Sequence, residues 1–254
     1  MKVAFLSLSV LLFSNLGFAK TLVVSDIDDT IKVTDVLNKA NAVKNGLFSK
    51  KAFSGMNELF NEFNNSDTII TYVSGSPTVI KEIVDNFLED NHFPQKENLT
   101  LKKGKVSTYD YKLAVIRDQI AKMNPDKIIL LGDDTEFDPE VYNTISKENK
   151  IESIYIRAVQ NRKLPNNAKI INFISPVEIA ANELLKGNLS GASLTKITNA
   201  FVKQAENSQI AIKNRYCPIE GRSQLEELKQ KVSEQSAIDS LVLAQEKIIK
   251  ACRK

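Results

Sequence analysis

The chain has 254 residues, with 34 Lys and Arg against 31 Asp and Glu, a net charge of +3 and 43% hydrophobic residues. That length suffices for one full core with an appendage, and the near-balance of charge implies no nucleic acid or other strong polyanion as the partner. The lone histidine, His92, and the two cysteines, Cys217 and Cys252, exclude His-rich metal sites, a cysteine-built zinc site and catalysis that needs a second histidine.

Lys2 precedes an apolar stretch from Val3 to Phe13, and the small residues Gly17 and Ala19 suit cleavage after Ala19. This is the grammar of a signal peptide over 1–19; the apolar run is too short, and too interrupted by Ser7, Ser9 and Ser14, to span a bilayer. Export to the periplasm or beyond is therefore expected. In an exported chain Cys217 and Cys252 are expected to pair. One helix from Arg222 to Ala251 would rise roughly 45 Å, far beyond the Cα separation of about 7 Å that a disulfide allows. The tail must then break near Ser236 and fold back as a hairpin.

Thr21-Leu22-Val23-Val24-Ser25 is a short apolar run that stops on Asp26, Asp28 and Asp29. It predicts a buried strand of a parallel sheet, whose carboxyl end is where such sheets bind ligands. Asp26 and Asp28 lie two apart, on one face of an extended backbone, where two carboxylates repel unless a cation separates them. An acidic turn with no chemistry reads equally well from these residues alone. Ile31 to Lys51 is polar and irregular, a short flap with apolar Leu47 and Phe48 and with Lys44, Lys50 and Lys51. Phe53 joins either that flap or the core.

Met56, Leu59, Phe60 and Phe63 recur at helical spacing. Thr68 to Val73 predicts a second strand ending on Ser74-Gly75-Ser76-Pro77, where Ser76 and Pro77 open a helix carrying Val79, Ile80, Ile83, Val84 and Phe87. The N-terminus of that helix would face Ser74, in reach of an anion. His92, just past this helix, reads as a surface residue. Leu99 to Leu101 predicts a strand. Ser107 or Thr108 caps the next helix, with Leu113, Ile116, Ile120 and Met123 inward and Lys112 in its opening turn, against the dipole unless a carboxylate or ligand compensates. Lys127 to Leu131 then runs into Gly132-Asp133-Asp134, and Asp138-Pro139 starts a helix for which Asp138 reads as the N-cap. Ile151 to Ile156 and Lys169 to Ile174 complete the strands. From Ser175-Pro176-Val177-Glu178, a capping box, the pattern is helical only, with Leu194, Ile197 and Phe201, then Leu225, Leu228 and Val232, then Leu241, Ile248 and Ile249 marking further helices. Alternating strands and helices predict a parallel sheet with right-handed crossovers. The expected organisation is a signal peptide (1–19), a catalytic domain (20–175) and an all-helical extension (176–254).

Asp26, Asp28, Ser74, Lys112 and Asp133 with Asp134 or Asp138, in that order at strand ends and a helix start, resemble the haloacid dehalogenase superfamily of phosphohydrolases. The longer strings Ser25-Asp26-Ile27-Asp28-Asp29-Thr30-Ile31-Lys32, Tyr72 to Pro77, Leu131-Gly132-Asp133, Asp138 to Tyr142 and Ile154-Tyr155-Ile156-Arg157 resemble the phosphatidate phosphatase domain of the fungal actin-patch type and its bacterial relatives. Thr78 stands where that family usually has an aromatic residue, and Tyr111 where it often has His.

The resemblance implies a three-layer Rossmann-like sheet without a large cap and a Mg²⁺-dependent phosphomonoester hydrolase. Asp26 would be the nucleophile and Asp28 the general acid and base, with Lys112 completing the catalytic set. Thr30, Ser74 and Gly75 would bind the substrate, and Mg²⁺ would take Asp26, the Asp28 carbonyl and Asp133. Asp134 and Asp138 would support these groups from behind, and Asp29 reads as a solvated turn residue. The implied partner is phosphatidate or another phosphomonoester, with peripheral membrane contact. A broad-specificity exported acid phosphatase or nucleotidase, and a non-catalytic module binding lipid or a host protein, are the alternatives.

Overall fold

A computed structural model describes residues 20–34, 50–160, 162–207 and 221–252. The signal-peptide segment, the flap residues Lys44, Leu47 and Phe48, and Cys217 with its expected bridge lie outside the described residues.

Six strands form one parallel sheet: β1 (Thr21–Ser25), β2 (Thr68–Pro77), β3 (Leu99–Lys102), β4 (Lys127–Asp133), β5 (Ser153–Arg157) and β6 (Ile170–Phe173). Their order is β3-β2-β1-β4-β5-β6, and every neighbouring pair is parallel. Successive crossovers therefore run outward from β1 through β3, then jump back to β4 on its other side. That reversal opens a crevice at the carboxyl ends of β1 and β4, the switch point at which such sheets hold ligands.

The helices are α1 (Met56–Phe63), α2 (Lys81–Asp90), α3 (Thr108–Met123), α4 (Asp138–Glu148), α5 (Pro176–Leu185), α6 (Gly191–Asn207), α7 (Gly221–Lys231) and α8 (Gln235–Cys252). Alternation along the strands sends Leu22 and Val24 to one face, with Ile116 of α3 and Val141 and Ile145 of α4. Val23, Ile70 and Ile129 point to the other face, beneath Phe60 of α1 and Phe87 of α2. The result is the three-layer α/β/α arrangement expected of a haloacid dehalogenase-like chain, and the segment between β1 and α1 is too short for a separate cap domain.

The helical tail joins the same core. Leu194, Ile197, Phe201, Leu225, Leu228, Leu241 and Ile248 belong to one apolar cluster with Met56 and Phe60, and Gln204 of α6 accepts from the Gly55 amide at 2.6 Å, just before α1. The Ser175 and Glu178 capping box forms as read. α7 ends at Lys231 and α8 starts at Gln235, so the tail breaks near Ser236 as expected.

Two local expectations fail. β2 continues through Ser76 to Pro77, whose backbone is extended, and a 3-10 turn over Thr78–Ile80 precedes α2. Val79, assigned to a buried helix face, is 86% exposed. The helix start at Ser76, and with it the anion site beside Ser74, is not formed: after a register shift Pro77 pairs with Lys102 of β3, so the pairing of an added strand outweighs the local preference of Pro for a helix start. Phe53 belongs to the core, 3% exposed, with the Arg157 guanidinium carbon 3.9 Å from its ring centroid.

Candidate active site

β1 delivers Asp26 and β4 delivers Asp133, with Asp26 N bonded to Leu131 O at 2.9 Å across the two strands. Thr30 Oγ1 lies 3.2 Å from both Asp26 Oδ2 and Asp133 Oδ2. On the other side of Asp26, Lys112 Nζ is 2.8 Å from Oδ1 and also bonds Asp138 Oδ1. Lys112 is fully buried on α3, so the two carboxylates supply the compensation that its unfavourable place near a helix start requires. Burial works against its charge, yet Asp138 and Asp26 together hold its ammonium pKa well above the ordinary value.

Asp138 is drawn further in than a supporting residue. The α4 cap is Phe137, not Asp138, because the Asp138 carboxylate turns back to Lys112 and accepts from Asp133 N at 3.3 Å. Gly132 permits this approach: a Cβ there would lie 2.6 Å from Asp138 Cβ. One oxygen from each of Asp26, Asp133 and Asp138 lies within 4.8 Å of the others. Burial, then Asp138 and Asp26, push Asp133 well above the usual carboxylate range. Burial likewise pushes Asp138 up to about 7, against the pull of Lys112.

Asp28 has a different environment. Its Oδ2 accepts from Ser76 Oγ at 2.9 Å. Burial and then the charge of Asp26 push it up to about 6, with Lys32 and the Ser76 hydrogen bond opposing. Asp29 is 3% exposed rather than solvated. It adopts a left-handed backbone with φ of 54°, and its Oδ1 accepts from Thr34 N at 3.1 Å and Thr34 Oγ1 at 3.0 Å. It thereby closes the tight turn that carries Asp28 and Thr30.

Ser74 is buried at the end of β2 and its Oγ accepts from Ser76 N at 3.0 Å, which leaves its hydroxyl hydrogen available to another acceptor. Gly75 lets α3 close on β2, since a Cβ there would meet Thr108 Cγ2 at 2.7 Å. Asp134 faces away from the cluster: its Oδ1 accepts from the amides of Val159 and Gln160, both at 2.8 Å, and fixes the loop after β5.

Sequence reasoning gave no role to Arg157. It is wholly buried at the end of β5, stacked between Phe53 and Phe173, with Nε 2.8 Å from Thr30 O and a second bond from NH1 to Ile174 O. It ties the acidic loop after β1 to the loop after β6. The only advance signal was a charged residue closing an otherwise apolar strand, Ile154-Tyr155-Ile156-Arg157.

A divalent cation fits this donor set. Three buried carboxylates face one ammonium, a deficit of positive charge. The single Thr30 hydroxyl hydrogen cannot satisfy both oxygens it touches. Hard oxygen donors of this kind suit Mg²⁺ or Ca²⁺.

The family described as phosphatidate phosphatase APP1, catalytic domain, matches residues 21–158, more than half of the chain. The chain belongs to this family. Its fold is haloacid dehalogenase-like, and the family match takes in every residue of the cluster. A solved class C acid phosphatase from Bacillus anthracis is 19% identical, aligned over 52% of this chain and 62% of that one with a TM-score of 0.35. The same enzyme with tungstate bound gives 19% identity, 51% and 62% coverage and a TM-score of 0.36. The aligned part is thus less than two thirds of the length of those enzymes. No curated protein matches the chain.

Proposed function

We propose that this chain is a phosphatase, a Mg²⁺-dependent phosphomonoester hydrolase that works through an aspartyl-phosphate on Asp26, and that it acts on phosphatidate after export. The observation that carries the mechanism is the contrast between two carboxylates only two residues apart. Asp26 is ion-paired to Lys112 at 2.8 Å, whereas Asp28 has its pKa raised to about 6. Such divergent environments separate a nucleophile from a proton donor.

Asp26 would attack phosphorus while the bond to the leaving alcohol breaks, with Asp28 giving its proton to the departing oxygen. In the second displacement Asp28 takes a proton from water, the oxygen of that water attacks phosphorus, and Asp26 is released as carboxylate. Lys112 contributes a fixed positive charge and Ser74 a hydrogen bond to the phosphoryl oxygens. Asp26, Asp133 and the Asp28 carbonyl would hold the cation, with Asp138 keeping Lys112 in place. When bound, the cation would offset charge on the phosphoryl oxygens. The substrate assignment rests on family membership alone.

The test is phosphate release from phosphatidate vesicles, lysophosphatidate and soluble monoesters, with Mg²⁺ and with chelator. Release is expected to be fastest from phosphatidate and to stop on chelation. Full activity in chelator rejects the cation, and faster release from a nucleotide moves the reading to a general acid phosphatase.

The proton on Asp28 predicts a pH profile. The first displacement needs the protonated form, so kcat/KM on a soluble monoester should fall as pH rises through about 6. The Ser76 hydroxyl favours the charged form of Asp28, so Ser76→Ala is expected to move that descending limb to higher pH. A profile unmoved by Ser76→Ala, or moved to lower pH, would remove Asp28 from the role of acid.

A further inference from the structure

Six large apolar side chains are exposed among the described residues, and Val79, Val106 and Phe137 are three of them, at 86%, 41% and 49% exposure. All three stand on loops at the carboxyl end of the sheet. Val79 lies in the turn after β2, Val106 just before α3 and Phe137 just before α4. These loops adjoin. A Cβ on Gly75 would meet Thr108 at 2.7 Å and Glu136 at 3.4 Å, and the rings of Tyr109 and Phe137 meet edge-on at 6.4 Å. Ser74, Lys112 and Asp138 lie on the strand and helices that these loops join, so the apolar tips stand on a surface rim beside the candidate site and outside it.

Single exposed apolar residues need no explanation, but a group on neighbouring loops beside a site marks an interaction surface. Its charge indicates what it meets. Lys102-Lys103-Gly104-Lys105 leads directly into Val106 with no acid in the run. Lys103 and Lys105 are exposed and form no ion pair among the described residues. Of the nearby acids, Asp110 is engaged by Ser107 at 2.6 Å, while Glu136 remains exposed. Apolar tips beside unpaired lysines are the composition of an interfacial anchor, in which the tips enter the acyl boundary and the ammonium groups stay among anionic headgroups.

We propose that this rim docks on the surface of a bilayer rich in anionic lipid, through Val79, Val106 and Phe137 with Lys103 and Lys105. This extends the phosphatidate reading to the surface that would bring such a substrate to the site. Its test uses a phosphodiester lipid that the site would not hydrolyse, so that docking and substrate choice succeed or fail separately.

The chain from Lys20 onward, the form expected after cleavage, is floated with vesicles of phosphatidylcholine alone and of phosphatidylcholine and phosphatidylglycerol in equal parts. It is expected to float only with the mixed vesicles. The variant Val79→Ser/Val106→Ser/Phe137→Ser should remain in the dense fraction. Lys103→Gln/Lys105→Gln should partition about 25-fold more weakly. Both variants should keep the wild-type circular dichroism and the wild-type rate on a soluble monoester, because the changed residues lie on the surface. Flotation of wild type and variants alike, or of none, overturns the proposal. So does a wild-type dimer that the triple serine variant dissociates, which would assign the patch to self-association. Flotation that depends on these residues supports docking even if phosphatidate is not hydrolysed.

Discussion

Asp26→Asn is expected to lower turnover of every phosphomonoester by about 10⁵-fold, since no covalent intermediate can form without the attacking carboxylate. The protein should stay folded. Asp26 is one of three buried carboxylates facing Lys112, so replacing it with a neutral amide relieves repulsion while Asp138 still holds the ammonium. The metal-free variant should therefore melt no lower than the wild type, which separates lost chemistry from lost structure. Asp28→Asn should be as slow on an alkyl phosphate but differ in what accumulates. With a good leaving group such as para-nitrophenolate, which needs no proton, Asp26 can still be phosphorylated, and hydrolysis then stalls for want of a base. Radiolabelled phosphate should stay with the denatured Asp28→Asn protein and be absent from Asp26→Asn. Label on both variants, or a wild-type rate in either, would reject these roles.

The parts of this site that local sequence reveals are those set by short-range preference. The run from Thr21 to Ser25 was legible as a strand because its apolar residues are β-branched or leucine and stop at once on carboxylates, and the Ser175 box because its two partners lie three residues apart. What sequence could not show depends on partners far along the chain. Asp138 reads as a cap until Lys112, 26 residues earlier, is seen against it. Arg157 has no visible role until Thr30 O, 127 residues away in sequence, is at its Nε. Ser76 and Pro77 were misread for the same reason. Their local preference favours a helix start, and only the neighbouring strand β3 keeps them extended, placing the Ser76 hydroxyl on Asp28. Asp29 looked solvated because Asp is common in turns, whereas its carboxylate and left-handed backbone together close the turn on Thr34.

Lys112→Met should abolish useful turnover and also destabilise the metal-free fold, by about 3–5 kcal/mol at pH 8, because it leaves buried carboxylates without their cation. The pH dependence identifies the cause. In the folded wild type Asp138 is held up to about 7 against an ordinary 3.8, and Asp133 is also raised. A carboxyl group whose folded pKa exceeds its unfolded value holds its proton more tightly in the native state. Its contribution is fully present below about pH 4 and lost as pH rises through the folded pKa. Metal-free wild type should thus lose stability between about pH 4 and 7. Removing Lys112 raises the folded pKa values further, so the loss extends to higher pH and the gap between variant and wild type should be narrow at pH 5 and wide at pH 8. Urea midpoints in chelator at the two pH values test this, and a gap independent of pH would assign the damage to packing instead. Mg²⁺ should stabilise the variant at least as strongly as the wild type, since a nearby positive charge has been removed from its binding site. A variant that regains stability with Mg²⁺ but not turnover would place the function of Lys112 at the phosphoryl group rather than in assembling the carboxylates.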